Sequence, residues 1–395
     1  MRTIAVVTGA RADFGIYTPV LKAIDNTPEL QHRIHACGGH FSPVFGNTID
    51  EIEASGFNVA EKIETFTGTQ GSQEIANSMA RGMTGFADVF SRNRPDMVLV
   101  LGDRYEMFAA AATALIFALP LAHIHGGELS EGAIDDALRH AITKMSHLHF
   151  VSSESHARRV IQLGERPEFV HVTGAPGLDN LIDIDWPGIS ELEDAVGLTL
   201  SPAPILATFH PVTLEPQSAT AQIGEMFAAL DEIQRPTVIT YPNADAEGQD
   251  IIDDIDRFVQ IRPWASAQPS LGVRRYFGLM RMAVAMIGNS SSGIIEAASF
   301  GLPVVNIGDR QRGRSHGANV LNVPPRRADI LGALERAAEP SFRAELDGMT
   351  NPYGDGTAGT RIAEILRKID LDPGLLKKTF HDTDVTTSTK DHACG

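Results

Sequence analysis

Cysteine is almost missing: 395 residues contain only Cys37, inside an apolar run, and Cys394, near the end. That excludes a disulfide scaffold and a cysteine-rich zinc site, and it suits a reducing compartment. Positive charge is also in deficit. Lys and Arg number 33 against 50 Asp and Glu, a formal net charge of −17, which argues against a nucleic-acid backbone as partner. A small anionic ligand answers to local charge instead, and Arg310, Arg312 and Arg314 supply some. No stretch approaches the ~20 apolar residues of a membrane span. The apolar part of Met1–Gly9 is too short for a signal peptide and reads as a first strand. A cytoplasmic protein without membrane attachment is expected. Two fingerprints are absent as well. Gly9-Ala-Arg-Ala-Asp-Phe-Gly15 is neither G-x-G-x-x-G nor a P-loop, and no G-x-S-x-G elbow occurs, so dinucleotide binding, P-loop NTP binding and Ser-His-Asp hydrolysis lack support.

What is present is an α/β rhythm. The length suits two or three domains. Thr3–Thr8, Arg33–Gly38, Met97–Gly102, Leu119–Ile124, Leu148–Ser152 and Phe169–Thr173 read as strands. Phe14–Ile24, Ser72–Phe90, Tyr105–Ile116, Ile134–Met145 and Ser155–Leu163 carry helical apolar spacing between them. Such alternation means a parallel sheet covered on both faces. The pattern breaks around Asp183–Pro204, then restarts with strands at Ile205–Phe209, Thr237–Tyr241, Met286–Gly288 and Val304–Ile307. Two doubly wound domains are therefore expected, 1–185 and 186–372, with a ligand cleft at the carboxyl ends of their strands. Thr360–Ile369 reads as a helix packing back on the first domain. The tail 373–395 is expected to be disordered.

The most informative run is Ile287-Gly-Asn-Ser-Ser-Ser-Gly-Ile-Ile-Glu296. An apolar strand ends at Gly288-Asn289, and three hydroxyls open a helix with Glu296 one turn in. Free N–H groups, partial positive charge, Ser290 and Ser291 suit phosphate oxygens, and Glu296 suits sugar hydroxyls, a pairing that fits a nucleoside diphosphate. An ordinary N-capped helix fits the same residues. Arg11 and Asp13 either enter the cleft, with the arginine toward a diphosphate, or pair on a surface turn. Asp103, after the apolar run of β-type residues ending at Leu101, is either a catalytic carboxylate or a helix cap. In His123-Ile-His-Gly-Gly-Glu128 the two histidines share a strand face, which invites zinc, but no third ligand has a suggestive spacing and no metal is expected. Asp135 and Asp136 either sit solvated at a helix start or converge with Asp103, where repulsion raises one pKa and makes an acid/base set. His210 ends the first strand of the second domain, either facing the cleft or as a structural histidine.

Read in order, Thr8–Gly15, Gly102-Asp-Arg104, His123–Glu128, Ile134–Lys144, His210-Pro211, Gly288–Gly293, Gly308-Asp-Arg-Gln-Arg-Gly-Arg314 and Asn351-Pro-Tyr-Gly-Asp-Gly356 resemble the UDP-N-acetylglucosamine 2-epimerases. The match is nearest to their hydrolysing branch, which feeds sialic and legionaminic acid synthesis, and spans roughly residues 1–370. The resemblance implies a GT-B architecture: two Rossmann-like doubly wound domains with a UDP-sugar in the cleft between them. It further implies a homodimer or homotetramer and no cofactor. By resemblance Ser290, Ser291 and the N–H groups after Asn289 meet the diphosphate, Glu296 the ribose and Tyr276 the uracil. His210 and Arg11 face the phosphates, and Asp13, Arg104 and Arg314 also bind substrate. Asp103, Asp135 and Glu128 supply acid and base. Many relatives carry Glu where this chain has His125, so either His125 or Glu128 takes over that proton transfer, or the substrate differs. The implied reaction eliminates UDP to a glycal and rehydrates it, releasing N-acetylmannosamine. The alternatives are the same reaction on a UDP-2,4-diacetamido-2,4,6-trideoxyhexose, hinted at by His125 and Gly38-Gly-His-Phe-Ser-Pro43, or a GT-B glycosyltransferase.

Overall fold

The computed structural model describes residues 1–41, 48–65, 71–130, 134–182, 184–211, 218–242 and 248–383. Ser42-Pro43 of the glycine–histidine segment lie outside the described residues. Thirteen strands run through these parts: β1 Arg2–Thr8, β2 Leu30–Cys37, β3 Val59–Ile63, β4 Met97–Leu101, β5 Leu121–Ile124, β6 Leu148–Val151 and β7 Val170–Val172, then β8 Ile205–Thr208, β9 Thr237–Thr240, β10 Ala265–Gln268, β11 Ala285–Gly288, β12 Val304–Ile307 and β13 Val320–Val323. The first seven form one sheet in the order 3-2-1-4-5-6-7, the other six a second sheet in the order 10-9-8-11-12-13. Neighbours pair in parallel throughout, for example Val6 with Ile34 and Leu99, and Ile287 with Ala207 and Val305. A strand buried on both faces needs an unbroken apolar run, and Met97-Val-Leu-Val-Leu101 is buried along its whole length. The edge strands β3 and β10 escape the sequence reading because they carry polar residues at half-buried positions (Val-Ala-Glu-Lys-Ile and Ala-Ser-Ala-Gln), as blunted sheet edges do.

In each sheet the strand order reverses beside the first strand, between β1 and β4 and again between β8 and β11. Ligands of such sheets bind outside those carboxyl ends. At the second point Gly288, with φ 129°, is required: a Cβ there would overlap the Thr208 carbonyl oxygen. The two lobes are tied by a return of the chain. The helix Ala358–Lys368 buries Ile362, Ala363 and Leu366 in the same core as Ile4, Val20 and Leu21. Asp179 receives its first N–H groups, from Ala358 at 3.0 Å and Gly359 at 2.7 Å. The expected disorder from residue 373 onward is corrected over its first part. Pro373–Leu376 makes a helical turn that buries Leu375, and Lys378 reaches Glu165 at 2.6 Å and the Lys144 carbonyl at 2.6 Å. Apolar burial and the uncapped carbonyls of the helix ending at Met145 hold this segment. Residues 384–395 lie outside the described residues.

Candidate active site

The carboxyl ends of β4, β5 and β6 carry the densest polar cluster. His125, at the end of β5, has φ 64°, an uncommon backbone for a non-glycine residue and often the mark of a functional constraint. Its Nδ1 lies 2.6 Å from Glu128 Oε1. The same carboxylate oxygen accepts from Ser152 Oγ at 3.0 Å, while Oε2 receives Arg139 Nη1 at 3.4 Å. Burial raises the Glu128 carboxyl, but His125, Arg314 and Arg139 outweigh it and hold the group well below the usual carboxylate range. Glu128 is therefore an ionised acceptor that braces the His125 ring. Among the described residues the other ring nitrogen, Nε2, has no hydrogen-bond partner in the protein.

Arg139, missed as a site residue, ties the cluster together. It projects from the helix Ile134–Met145 and is 3% exposed. Its guanidinium donates to Asp103, to Ser130 Oγ at 2.9 Å and to the His125 carbonyl at 3.2 Å, besides Glu128. Asp103 thus meets a guanidinium on which Glu128 and Asp136 also act. Asp136 accepts from the Ser130 backbone N–H at 2.7 Å, and Asp135 stands half-buried on the first turn of the same helix. His123 is fully buried between the Gly102 carbonyl, 2.7 Å, and Thr143, 3.1 Å. Desolvation lowers its pKa to about 3, so it stays neutral and structural.

The second lobe presents its own strand ends. Asn289 clasps His210: its Oδ1 accepts from the His210 N–H at 2.7 Å and its Nδ2 donates to the His210 carbonyl at 2.9 Å. Burial first, then Arg310, pushes His210 down to about 3. Its imidazole is neutral at physiological pH. Ser290 caps the helix Ser291–Ile295, accepting from the Ser292 N–H at 3.3 Å. That helix has five residues before it tightens to a 3-10 turn, so the local N–H groups matter more here than a long macrodipole. The Tyr276 hydroxyl stands near Ser292 and Thr208, which sets its ring beside the serines. Gln311, also missed, donates to the Asn289 carbonyl at 2.8 Å, and Arg310 joins it at 3.1 Å.

The lobes meet at these two clusters. Arg314 Nε donates to the Leu129 carbonyl at 2.9 Å, and its Nη2 stands 3.8 Å from Glu128. Glu296 lies within electrostatic reach of both His125 and Glu128. Its Oε2 is buried without a hydrogen-bond partner among the described residues, and burial pushes the carboxyl from its ordinary 4.5 up to about 7. A raised carboxyl opposes folding progressively as pH climbs from its ordinary value through the shifted one. Glu296→Gln is accordingly expected to gain about 1–3 kcal/mol over the wild type at pH 8 and nothing at pH 4.5. Parallel denaturant titrations at both pH values check this, and an equal gain at each pH would refute it.

Three more expected site residues, Arg11, Asp13 and Arg104, lie just after β1 and β4, with Asp13 within electrostatic reach of Asp103. Arg11 opens the helix Arg11–Asp25 and is half-exposed, paired with Glu51 at 3.6 Å and not with Asp13. One edge of the Arg104 guanidinium, Nε and Nη2, donates to the two carboxylate oxygens of Glu106, at 3.2 and 3.0 Å. Asp13 is buried beside them under the Gly9 N–H, 3.1 Å away, and desolvation raises it to about 6. Glu106, 1% exposed, gave no warning in an otherwise apolar helix; its carboxylate holds Arg104, and its charge, with that of Asp103, adds to the rise of Asp13.

A family model for UDP-N-acetylglucosamine 2-epimerase matches residues 22–367. The chain belongs to that family. Escherichia coli "Polysialic acid biosynthesis protein P7" is 35% identical, covering 99% of this chain and all of that protein. Campylobacter jejuni "GDP/UDP-N,N'-diacetylbacillosamine 2-epimerase (hydrolyzing)" is 36% identical over 96% of this chain and 99% of its own. In fold, the chain is similar to the Neisseria meningitidis UDP-GlcNAc 2-epimerase crystallised with UDP-GlcNAc, at a TM-score of 0.80 and 19% identity, covering 93% of this chain and 100% of that one. The two-sheet fold is thus the GT-B-like fold of the 2-epimerases. No helix among the described residues is long and apolar enough to cross a membrane.

Proposed function

We propose that this protein is a hydrolysing 2-epimerase that converts UDP-N-acetylglucosamine to UDP and N-acetylmannosamine. The observation that carries the reading is the interlobe pairing of His125–Glu128, braced by Arg139 and Asp103, with the serine-lined turn that holds Glu296. The C2 proton of an N-acetylhexosamine is weakly acidic, so its removal is eased when the C1–O bond to UDP breaks in the same event. The electron pair of the C2–H bond becomes the C1–C2 double bond of a glycal, and UDP leaves with the C1–O pair. Water then adds its oxygen to C1 while a proton returns to the opposite face of C2. Two proton carriers are therefore required. His125 through Nε2 and the Asp103–Asp135 side of the cluster supply them. General acid–base groups of this kind contribute about 10²–10⁴-fold.

On the other lobe the N–H groups after Asn289, with Ser290 and Ser291, receive the diphosphate. Neutral His210 adds a hydrogen-bond donor, and Arg314 adds charge where the leaving group develops it. Glu296, with an unpaired carboxylate oxygen, accepts from the ribose hydroxyls. Pairing there offsets the cost of its burial. A second reading has support in the named substrate of the Campylobacter relative: the sugar carries a second acetamido group, at C4, and the chemistry at C1 and C2 is unchanged.

The reaction is tested in deuterium oxide. With UDP-N-acetylglucosamine, release of UDP with one solvent deuterium at C2 of a free manno sugar is expected. Release of UDP with C2 protonated from the substrate itself, or intact UDP-N-acetylmannosamine as product, would sink the proposal. Running the 4-acetamido-6-deoxy analogue beside it separates the two substrates by kcat/KM.

A further inference from the structure

We infer that Ser152 and His156 are positioning residues for His125 that act through Glu128: a hydrogen-bond relay of one polarity ends on the carboxylate oxygen that holds the imidazole. The inference deepens the reading above, in which His125 carries a proton. Its basis is direction. Glu128, paired with Arg139 and Arg314, is an ionised carboxylate and can only accept. Two groups end on its Oε1: His125 Nδ1 at 2.6 Å and Ser152 Oγ at 3.0 Å. Both must donate. Ser152 has one proton, now committed, so its 2.9 Å contact with His156 Nδ1 must be a bond that His156 donates. The order is His156 Nδ1–H to Ser152 Oγ, Ser152 O–H to Glu128, and His125 Nδ1–H to the same carboxylate oxygen.

Nothing in this chain can reverse without leaving a buried donor facing a donor. Ser152 is 2% exposed and His156 1%, so water does not offer an alternative partner to either. Burial lowers His156 to about 4, which keeps its ring neutral and leaves it a single N–H for this bond. The consequence falls on His125. With Nδ1 protonated and held, the neutral ring presents Nε2 as a bare acceptor, the form a base needs. The far end of the relay abuts the interlobe contact. The His156 ring tilts against Tyr353 with centroids 5.8 Å apart, and the Tyr353 hydroxyl donates to the Ser315 carbonyl at 2.8 Å, next to Arg314.

The titratable and charged groups around His125 are Glu128, Arg139, His123, His156 and Glu296, with Arg314 behind Glu128. Removing the Ser152 hydroxyl takes one donor from Glu128. The carboxylate then accepts more strongly from His125 and favours the imidazolium, which moves the His125 titration upward.

The experiment measures UDP release from both UDP-sugars against pH, with the His125 ring followed by NMR of 15N-histidine-labelled protein. Ser152→Ala is expected to lose about tenfold in kcat at neutral pH with KM little changed. The acid limb of kcat and the ring titration should rise together by about half a unit to one unit. Ser152→Thr, which keeps the hydroxyl, should restore both. A Ser152→Ala protein with an unmoved limb and an unmoved ring titration overturns the relay. Should that variant melt below the assay temperature, Ser152→Cys, a weaker donor, is measured instead with the same expected direction. If the wild type releases UDP from neither sugar, the proposed reaction fails, and the ring titration alone still decides the relay.

Discussion

His125→Asn should lower kcat by about 10²–10⁴-fold, the range for a removed general base, while the Kd for UDP stays within about threefold of wild type. Asparagine is chosen because the residue sits at φ 64°, and asparagine visits that left-handed backbone more readily than most side chains. Its amide N–H can still donate to Glu128, replacing the contact that His125 Nδ1 makes at 2.6 Å. What it lacks is a second ring nitrogen. A fall in kcat therefore reports the loss of Nε2 and not a collapsed loop. Initial-rate UDP release and calorimetric titration with UDP separate the two quantities. Turnover close to wild type, or a loss confined to KM, would remove His125 from the proton-transfer step and shift the role to Asp103 and Asp135.

Much of this arrangement can be read from the chain before any coordinates. Apolar runs such as Met97–Leu101 and Ala285–Gly288 announce parallel strands because burial on both faces demands it. Chemistry placed just after such runs announces a cleft: Asp103, His125 and Asn289 all fall there. The edge strands β3 and β10 were hidden because their polar residues break the apolar signal. The harder failures were charged residues that are buried. Arg139 and Glu106 carry the same letters as solvated helix residues; what makes their burial tolerable is Asp103 and Glu128, brought from other strand ends, for Arg139, and Arg104, two residues away, for Glu106. A weak trace existed for Arg139. It lies three residues after Asp136 and four after Asp135, on the face those acids occupy. For Arg11 neither alternative named the partner: position after the first strand pointed to the cleft or to Asp13, and the pair is made with Glu51.

Arg139→Met is expected to produce the largest loss of stability, about 3–5 kcal/mol, because it takes the counter-charge from buried Glu128 and half-buried Asp103. Burial by itself would lower the arginine's pKa, but Asp103 and Glu128 outweigh it and raise the value, which identifies the guanidinium as their shared counter-ion. Methionine matches the aliphatic stem and fills much of the space, so the loss measures charge and hydrogen bonding more than a cavity. Arg139→Lys should recover only part of it, since a single ammonium cannot reach Asp103, Ser130, the His125 carbonyl and Glu128 together. The pH dependence separates the partners. Glu128 is held well below the usual carboxylate range, so the stability it contributes is present above the ordinary value of 4.5 and drains away as pH falls toward the depressed one. In Arg139→Met that depression shrinks, and the acid-side loss of stability should shrink with it. Denaturant titrations of the three proteins at neutral and acid pH make the comparison. An Arg139→Met protein as stable as wild type, with unchanged acid sensitivity, would mean that water or Arg314 already neutralises Glu128, and that the brace behind His125 is not built from Arg139. If the loss is found, the same guanidinium that stabilises the lobe also sets the spacing between Asp103 and the His125–Glu128 pair, so activity should fall further than the fraction unfolded can explain.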